Sequence, residues 1–183
     1  KMLIGGYISD RIGIARLNAD DTLDDSFVTG IPTTDGYVDF AMVQPDGRLL
    51  IGGYFSLVHG VPRHGIARLN AHGTLDATFG DALLTNDNGP TEVPALSLPR
   101  AGTLHLAGSF TKVGGAAHGG IARLNDDGTC DTNFQTSILQ QNNYPGNINV
   151  LVAQPDGRLL IGGNFKTVNG EGHTNIARLN ADG

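Results

Sequence analysis

The stretch Gly119–Phe134, GGIARLNDDGTCDTNF, decides how this chain is read. Its core, IARLN at 121–125, recurs at 14–18, 66–70 and 176–180, each time with an arginine at its centre. One site does the chemistry of an enzyme, so a catalytic motif is needed once, whereas a segment repeated at fixed spacing is a building unit. Ile14 to Ile66 is 52 residues, Ile66 to Ile121 is 55 and Ile121 to Ile176 is 55. Periods of this length belong to repeat architectures.

Other marks keep the same beat. A glycine pair stands at Gly52-Gly53 and Gly162-Gly163, with Ala107-Gly108 between, and Phe55, Phe110 and Phe165 follow two residues on. Asp24, Asp76 and Asp131 follow each IARLN, and Phe27, Phe79 and Phe134 follow those. One period reads as four short strands. The first is VDFAMVQ (38–44) or INVLVAQ (148–154), and the second is RLLIGGYF (48–55). The third is IARLN (66–70), and the fourth is TLDATF (74–79). PDG at 45–47 and 155–157 and AHG at 71–73 are turns, because proline presets φ and glycine accepts positive φ. A longer loop, SLVHGVPRHG (56–65), joins the second and third strands. Alternation with turn punctuation predicts antiparallel pairing.

A four-stranded unit cannot hide both faces alone. Radial stacking of such units predicts an all-β chain, a β-propeller of four-stranded antiparallel blades with a 52–55-residue repeat. Solenoid repeats are usually shorter, about 20–45 residues. The inventory comes to about 3.5 blades, in repeat segments 1–27, 38–79, 93–134 and 148–183. The whole of 1–183 is therefore expected to be a partial propeller, belonging to a larger chain or completed by oligomerisation. Open sheet edges invite self-association. The first repeat is trimmed, since Gly6 to Ile14 spans eight residues where Gly53 to Ile66 spans 13.

The combined pattern QPDGRLLIGGNF, VNG, IARLNADG and the following Leu-Asp and Phe resembles the bacterial delta-60 repeat, a β-propeller repeat often predicted to form seven blades. The resemblance covers essentially the whole chain. It implies a family without a common catalytic activity, whose members are commonly large extracellular or cell-surface proteins with further domains.

Alternation puts Ile66, Arg68 and Asn70 on one strand face and Ala67 and Leu69 on the other. An unpaired arginine between stacked sheets is costly. Each complete repeat supplies an aspartate eight residues on, which predicts structural ion pairs Arg16–Asp24, Arg68–Asp76 and Arg123–Asp131. RLNDDGTCD (123–131) also has the look of a calcium loop, with Asn125, Asp127 and Asp131 at suitable spacing. Yet Arg123 holds the first ligand position and His72 replaces the key acid in the second copy, so no metal is expected. Cys130 takes the slot of Leu23 and Leu75 and reads as a small buried hydrophobe.

A net charge of −6 speaks against a nucleic-acid partner or an anionic membrane surface. No apolar run approaches the roughly 18 residues of a spanning helix, so membrane insertion is not expected. No G-x-S-x-G or phosphate-binding loop is present, and no cofactor is expected. HGG (118–120) reads as a loop rather than an oxyanion hole. Specificity must come from what breaks the repeat. The connectors at 28–37, 80–92 and 135–147 break it most, and the third is rich in amides. The loop candidates for ligand binding are Tyr37, Asn86, Asp87, Gln141, Asn143 and Tyr144, with His118 and His173 before the third strands. The two histidines read otherwise as solvated loop residues. The expectation is a non-enzymatic propeller scaffold presenting loops to a protein or carbohydrate. The alternatives are a hydrolase or lyase at a central funnel and a structural spacer.

Overall fold

The computed structural model describes residues 1–8, 11–27, 36–86, 91, 93, 95–100, 103–141 and 144–183, and the side chains of all these except 5–8, 11–12 and 99–100. The chain divides into two compact units, Lys1–Asp81 and Ala82–Gly183.

The first unit opens with strands β1 (Met2–Ile8) and β2 (Arg11–Leu17), paired antiparallel. Next come β3 (Tyr37–Val43), β4 (Leu49–Tyr54), the two-residue strands β5 (Leu57–Val58) and β6 (Val61–Pro62), and β7 (Ile66–Leu69). They form a sheet of order β3-β4-β7 and a small hairpin β5-β6. The β1–β2 pair packs on β3. Ile14 and Phe27 meet Val38, Leu49, Ile51, Ala67 and Leu69 in one buried cluster.

The second unit repeats the plan. It contains β8 (Ala95–Arg100), β9 (Thr103–Ala107), β10 (Lys112–Val113), β11 (Ala116–Ala117), β12 (Ile121–Asn125) and β13 (Ile138–Leu139). These are followed by β14 (Asn147–Ala153), β15 (Leu159–Asn164), β16 (Thr167–Val168), β17 (Glu171–Gly172) and β18 (Ile176–Leu179). Its sheets run β8-β9-β12 and β14-β15-β18, with a smaller β13-β16-β17 and the hairpin β10-β11. Here β14 lies on β8 and β9. Ala107, Ile121 and Phe134 are buried together with Ile148, Leu151, Leu159 and Ile161.

Two expectations need correcting. In the first three repeats the fourth strand is a single bridge, Leu17↔Leu23, Leu69↔Leu75 and Leu124↔Cys130, so it adds no strand to the sheets β1-β2, β3-β4-β7 and β8-β9-β12. The aspartate that alternation counted as a strand residue bends the chain instead. Asp76 Oδ1 accepts the Thr78 backbone N–H at 2.9 Å, and Asp24 and Asp131 do the same for Ser26 and Asn133. Such a side-chain-to-backbone bond competes with a ladder. The segment after the second strand, read as a longer loop, carries a hairpin of two-residue strands, as in β5-β6, β10-β11 and β16-β17.

The glycine pairs mark a bulge. The register of β3 on β4 slips between Val38 and Phe40, and that of β14 on β15 between Ile148 and Val150. A Cβ at Gly53 would stand 2.4 Å from the Tyr37 carbonyl oxygen, and one at Gly163 2.1 Å from that of Asn147. Only glycine lets the backbones approach this closely.

The repeated arginine has two recurring partners, a carboxylate and an aromatic ring. Arg16, Arg68 and Arg123 donate through Nε to Asp24, Asp76 and Asp131 at 2.8, 2.7 and 2.8 Å. Each guanidinium lies over a buried ring, Phe27, Phe79 or Phe134, at 4.7, 5.0 and 5.2 Å from the centroid. Arg68 is only 2% exposed. Burial would raise the Asp76 carboxyl. Hydrogen bonds from the Thr78 hydroxyl and backbone, Arg68 and Arg48 outweigh this and hold it well below the usual carboxylate range.

His105 breaks the pattern. It occupies the position of Leu50 and Leu160 and faces Arg123 across the strands, as Leu50 faces Arg68. The ring is buried edge-on against Phe134, and neither nitrogen has a hydrogen-bond partner among the described residues. Burial, aided by Arg123, pushes its pKa from 6.5 down to about 4.

Two stability outcomes follow. Asp76→Ala strands a buried guanidinium and is expected to cost about 3–5 kcal/mol in denaturant unfolding. Asp156→Ala, in the exposed Asp156–Arg158 pair, is expected to leave the unfolding midpoint nearly unchanged. For His105 the unfolded chain binds the proton first as pH falls, so stability is present above pH 6.5 and is lost progressively towards pH 4. His105→Leu is expected to remove this part of the pH dependence and, at neutral pH, to raise stability by about 1–3 kcal/mol, the cost of unpaired buried nitrogens.

Candidate functional site

Within the second unit the connector after Phe134 folds back on itself and pairs through β13 with β16 of the repeat that follows. Gly146 N–H donates to the Ile138 carbonyl, and Gln140 N–H to that of Tyr144. Gly120 sits against this connector with φ +74°, and a Cβ there would stand 2.6 Å from the Gly146 oxygen and 3.0 Å from the Gly108 oxygen. The HGG run is therefore a close-approach turn.

This arrangement leaves an open groove of 460 Å³. One wall comes from the β10–β11 region, with Thr111, Ala117, His118 and Gly119. The other comes from the connector, with Gln135, Thr136, Ser137, Leu139 and Pro145, and Asn169 closes one end from the β16–β17 turn. Asn169 Oδ1 accepts from the Ser137 N–H at 2.8 Å and the Thr136 hydroxyl at 3.2 Å, and its Nδ2 donates to the Gly183 carbonyl at 3.1 Å. Gln135 Nε2 donates to the Thr132 carbonyl at 2.8 Å. The connector is thus tied down on both sides, which holds the groove open and polar.

His118 lines the groove and is buried, not solvated as its loop position suggested. Its backbone N–H donates to the Thr111 carbonyl, the loop-closing bond that Arg63 and His173 make to Ser56 and Lys166. Its Nε2 lies 3.3 Å from Cys130 Sγ, and its Nδ1 has no hydrogen-bond partner among the described residues. Burial lowers the His118 pKa, and burial with the neighbouring Asp131 raises that of Cys130. Both shifts favour the neutral thiol–imidazole pair over the thiolate–imidazolium of an activated nucleophile. Cys130 itself is partly buried rather than sealed in the core.

The remaining candidates lie elsewhere. Tyr37 stacks on Tyr54 at 5.6 Å in the first unit and is exposed. Asn86 is half-buried, with its amide donating to the Ser109 carbonyl at 2.6 Å. Gln141 and His173 are exposed. Tyr144 is exposed beside the groove-lining Pro145. Asp87 and Asn143 lie outside the described residues. Arg63, at the position equivalent to His118, is buried and donates to the Pro62 and Phe79 carbonyls. Among the described residues no three His, Cys, Asp or Glu side chains converge as a metal would require. Asp127 receives both the N–H and the hydroxyl of Thr129, at 2.9 and 2.6 Å. The residues missed in sequence, Gln135–Ser137 and Asn169, belong to polar loops. Only their position directly after the Phe134 anchor sets the first three apart.

No curated protein matches this chain. A family model matches residues 1–27, 44–79, 102–134 and 154–183, the four repeat segments in register. With most of its length matched, the chain belongs to the DUF5122 family, a β-propeller domain of unknown function.

Proposed function

We propose that this chain is a non-enzymatic propeller scaffold whose second unit binds a neutral carbohydrate in the groove between the β10–β11 hairpin and the 135–147 connector. The observation that carries this reading is the lining. Its side chains are hydroxyls, amides, a histidine whose pKa burial lowers and short apolar surfaces, with no carboxylate, lysine or arginine among the described lining residues. Sugar hydroxyls are recognised by such groups, while an anionic or cationic ligand would meet no counter-charge. The volume falls within the range of small-ligand sites, about 300–1,000 Å³. Exposed Tyr144, beside the groove, offers a ring on which a sugar face can stack. An extracellular or cell-surface setting on a bacterial protein accords with the resemblance to the delta-60 repeat and with a glycan ligand.

Titration calorimetry against a panel of neutral oligosaccharides tests this. Saturable binding is expected, weakened by about 1 kcal/mol in Ser137→Ala, the net worth of one hydrogen bond. Binding should be abolished in Ser137→Trp, which fills the groove from an exposed position. Binding indifferent to both variants, or no binding to any member of the panel, would refute the reading. Release of new reducing ends would assign the groove to a hydrolase.

A further inference from the structure

Two departures from the repeat coincide in its third copy, and they touch beside the groove. Cys130 stands where Leu23 and Leu75 stand in the first two copies, and His118 stands where Arg63 does in the second. Arg63 commits its guanidinium to the Pro62 and Phe79 carbonyls of its own repeat. His118 is instead held by its ring Nε2, 3.3 Å from Cys130 Sγ, and is only 6% exposed. Its Nδ1 has no hydrogen-bond partner among the described residues, and it is not sealed in as both nitrogens of His105 are. His118 lines the groove, so the open side of its ring is the groove side.

The thiol decides which nitrogen carries the ring proton. A neutral thiol donates through S–H, and its sulfur is a weak acceptor. Neutral imidazole has one N–H and one bare nitrogen, so an S–H donated to Nε2 leaves the proton on Nδ1. Burial favours the uncharged form of each partner. The bond is fixed at both ends, because the His118 N–H donates to the Thr111 carbonyl and Cys130 is bridged to Leu124. His118 therefore meets the groove as a hydrogen-bond donor.

A sugar hydroxyl both donates and accepts, and it turns to suit either kind of neighbour, so a fixed donor selects little among hydroxyls. A carbonyl oxygen only accepts. The surroundings of His118 suit a carbonyl that carries a methyl group. Ala117 precedes it in the lining. Gly119, which follows it, lies so close to Ile138 that a Cβ would stand 3.2 Å from that backbone, and Gly120 lies against the Gly146 oxygen. These approaches bring Leu139 and Pro145, the apolar lining residues of the connector, to the same stretch of the groove.

Given a neutral carbohydrate in this groove, we propose that Cys130 fixes His118 as an Nδ1–H donor, and that this donor bonds the acetamido carbonyl of an N-acetylated sugar whose methyl packs on Ala117, Leu139 and Pro145. His118 touches the ligand, and Cys130 is a positioning residue that acts through it.

Two measurements on the full chain test this. Long-range proton–nitrogen correlation NMR of the ligand-free protein reads the His118 tautomer directly. The Nδ1–H form is expected in the unaltered chain and in Cys130→Ser, whose hydroxyl also donates, and it should lose its dominance in Cys130→Ala. Titration calorimetry then compares the β-1,4-linked trimer of N-acetylglucosamine with the glucose trimer of the same linkage. The acetylated trimer is expected to bind about tenfold more tightly, the worth of one hydrogen bond and a buried methyl. Cys130→Ala should remove most of that preference, and Cys130→Ser should keep it. Circular dichroism checks that both variants at this partly exposed position are folded. An Nε2–H tautomer in the unaltered chain overturns the proposal without reference to any ligand or variant. Equal binding of the two trimers also overturns it while leaving the neutral-sugar reading intact, whereas binding of neither sinks both. Equal loss of preference in the Ser and Ala variants would make Cys130 a packing residue and overturn its positioning role.

Discussion

The arginine of IARLN is the constraint on which the rest of the structure depends. It is placed where sheets stack, a setting that would penalise a bare cation by several kcal/mol. The spacing of the repeat resolves this. The eight-residue step to the aspartate is the length of one tight turn and return, and three further residues bring a phenylalanine under the guanidinium. The aspartate then uses its second oxygen on the N–H two residues later, which turns the chain and drives the ring inward. One charge, once compensated, therefore fixes the turn, the return segment and the deepest apolar anchor of each repeat.

This clasp substitutes for a fourth ladder strand. A full strand would be held by several backbone pairs, whereas the return segment has one bridge and depends on side chains. The arginine also reaches the turn of the next repeat in Arg16 and Arg123, so the same group ties a repeat internally and to its successor. Frame and variation are thereby separated. The clasped segments repeat with little change, and the connectors between them are free to diverge. The groove arises where one connector is laid against two hairpins, and half of its lining residues come from that connector rather than from the repeat.

Much of the fold was legible in the sequence, because the marks that define it recur. Arg68 and Asp76 declared their pairing by their spacing, whereas Gly52-Gly53 stood out only as a recurring mark, with no sign that it was a bulge under a neighbouring carbonyl. TLDATF misled because its alternation is that of a strand, while the decisive fact is local: an aspartate two residues before an N–H it can capture. His105 was overlooked although it was visible as a histidine in a leucine slot. The candidate site was less legible. The amide-rich character of 135–147 singled out the connector that lines the groove, but the part that does so includes Gln135–Ser137 at its start, with Tyr144 beside it. Which end of a loop faces a cavity depends on how it is tied down, here through Asn169 thirty-odd residues away, and a single sequence carries no sign of that bond.

The central claim is that arginine and aspartate act as one unit in each repeat. The most direct measurement is a double-mutant cycle in denaturant unfolding, with Arg68→Met, Asp76→Asn and the pair together. The account expects a coupling energy of about 1.5–3 kcal/mol, so that the double variant is far more stable than the summed single losses imply. A coupling near zero would mean that Arg68 and Asp76 contribute independently, and the repeated arginine would then need a different explanation.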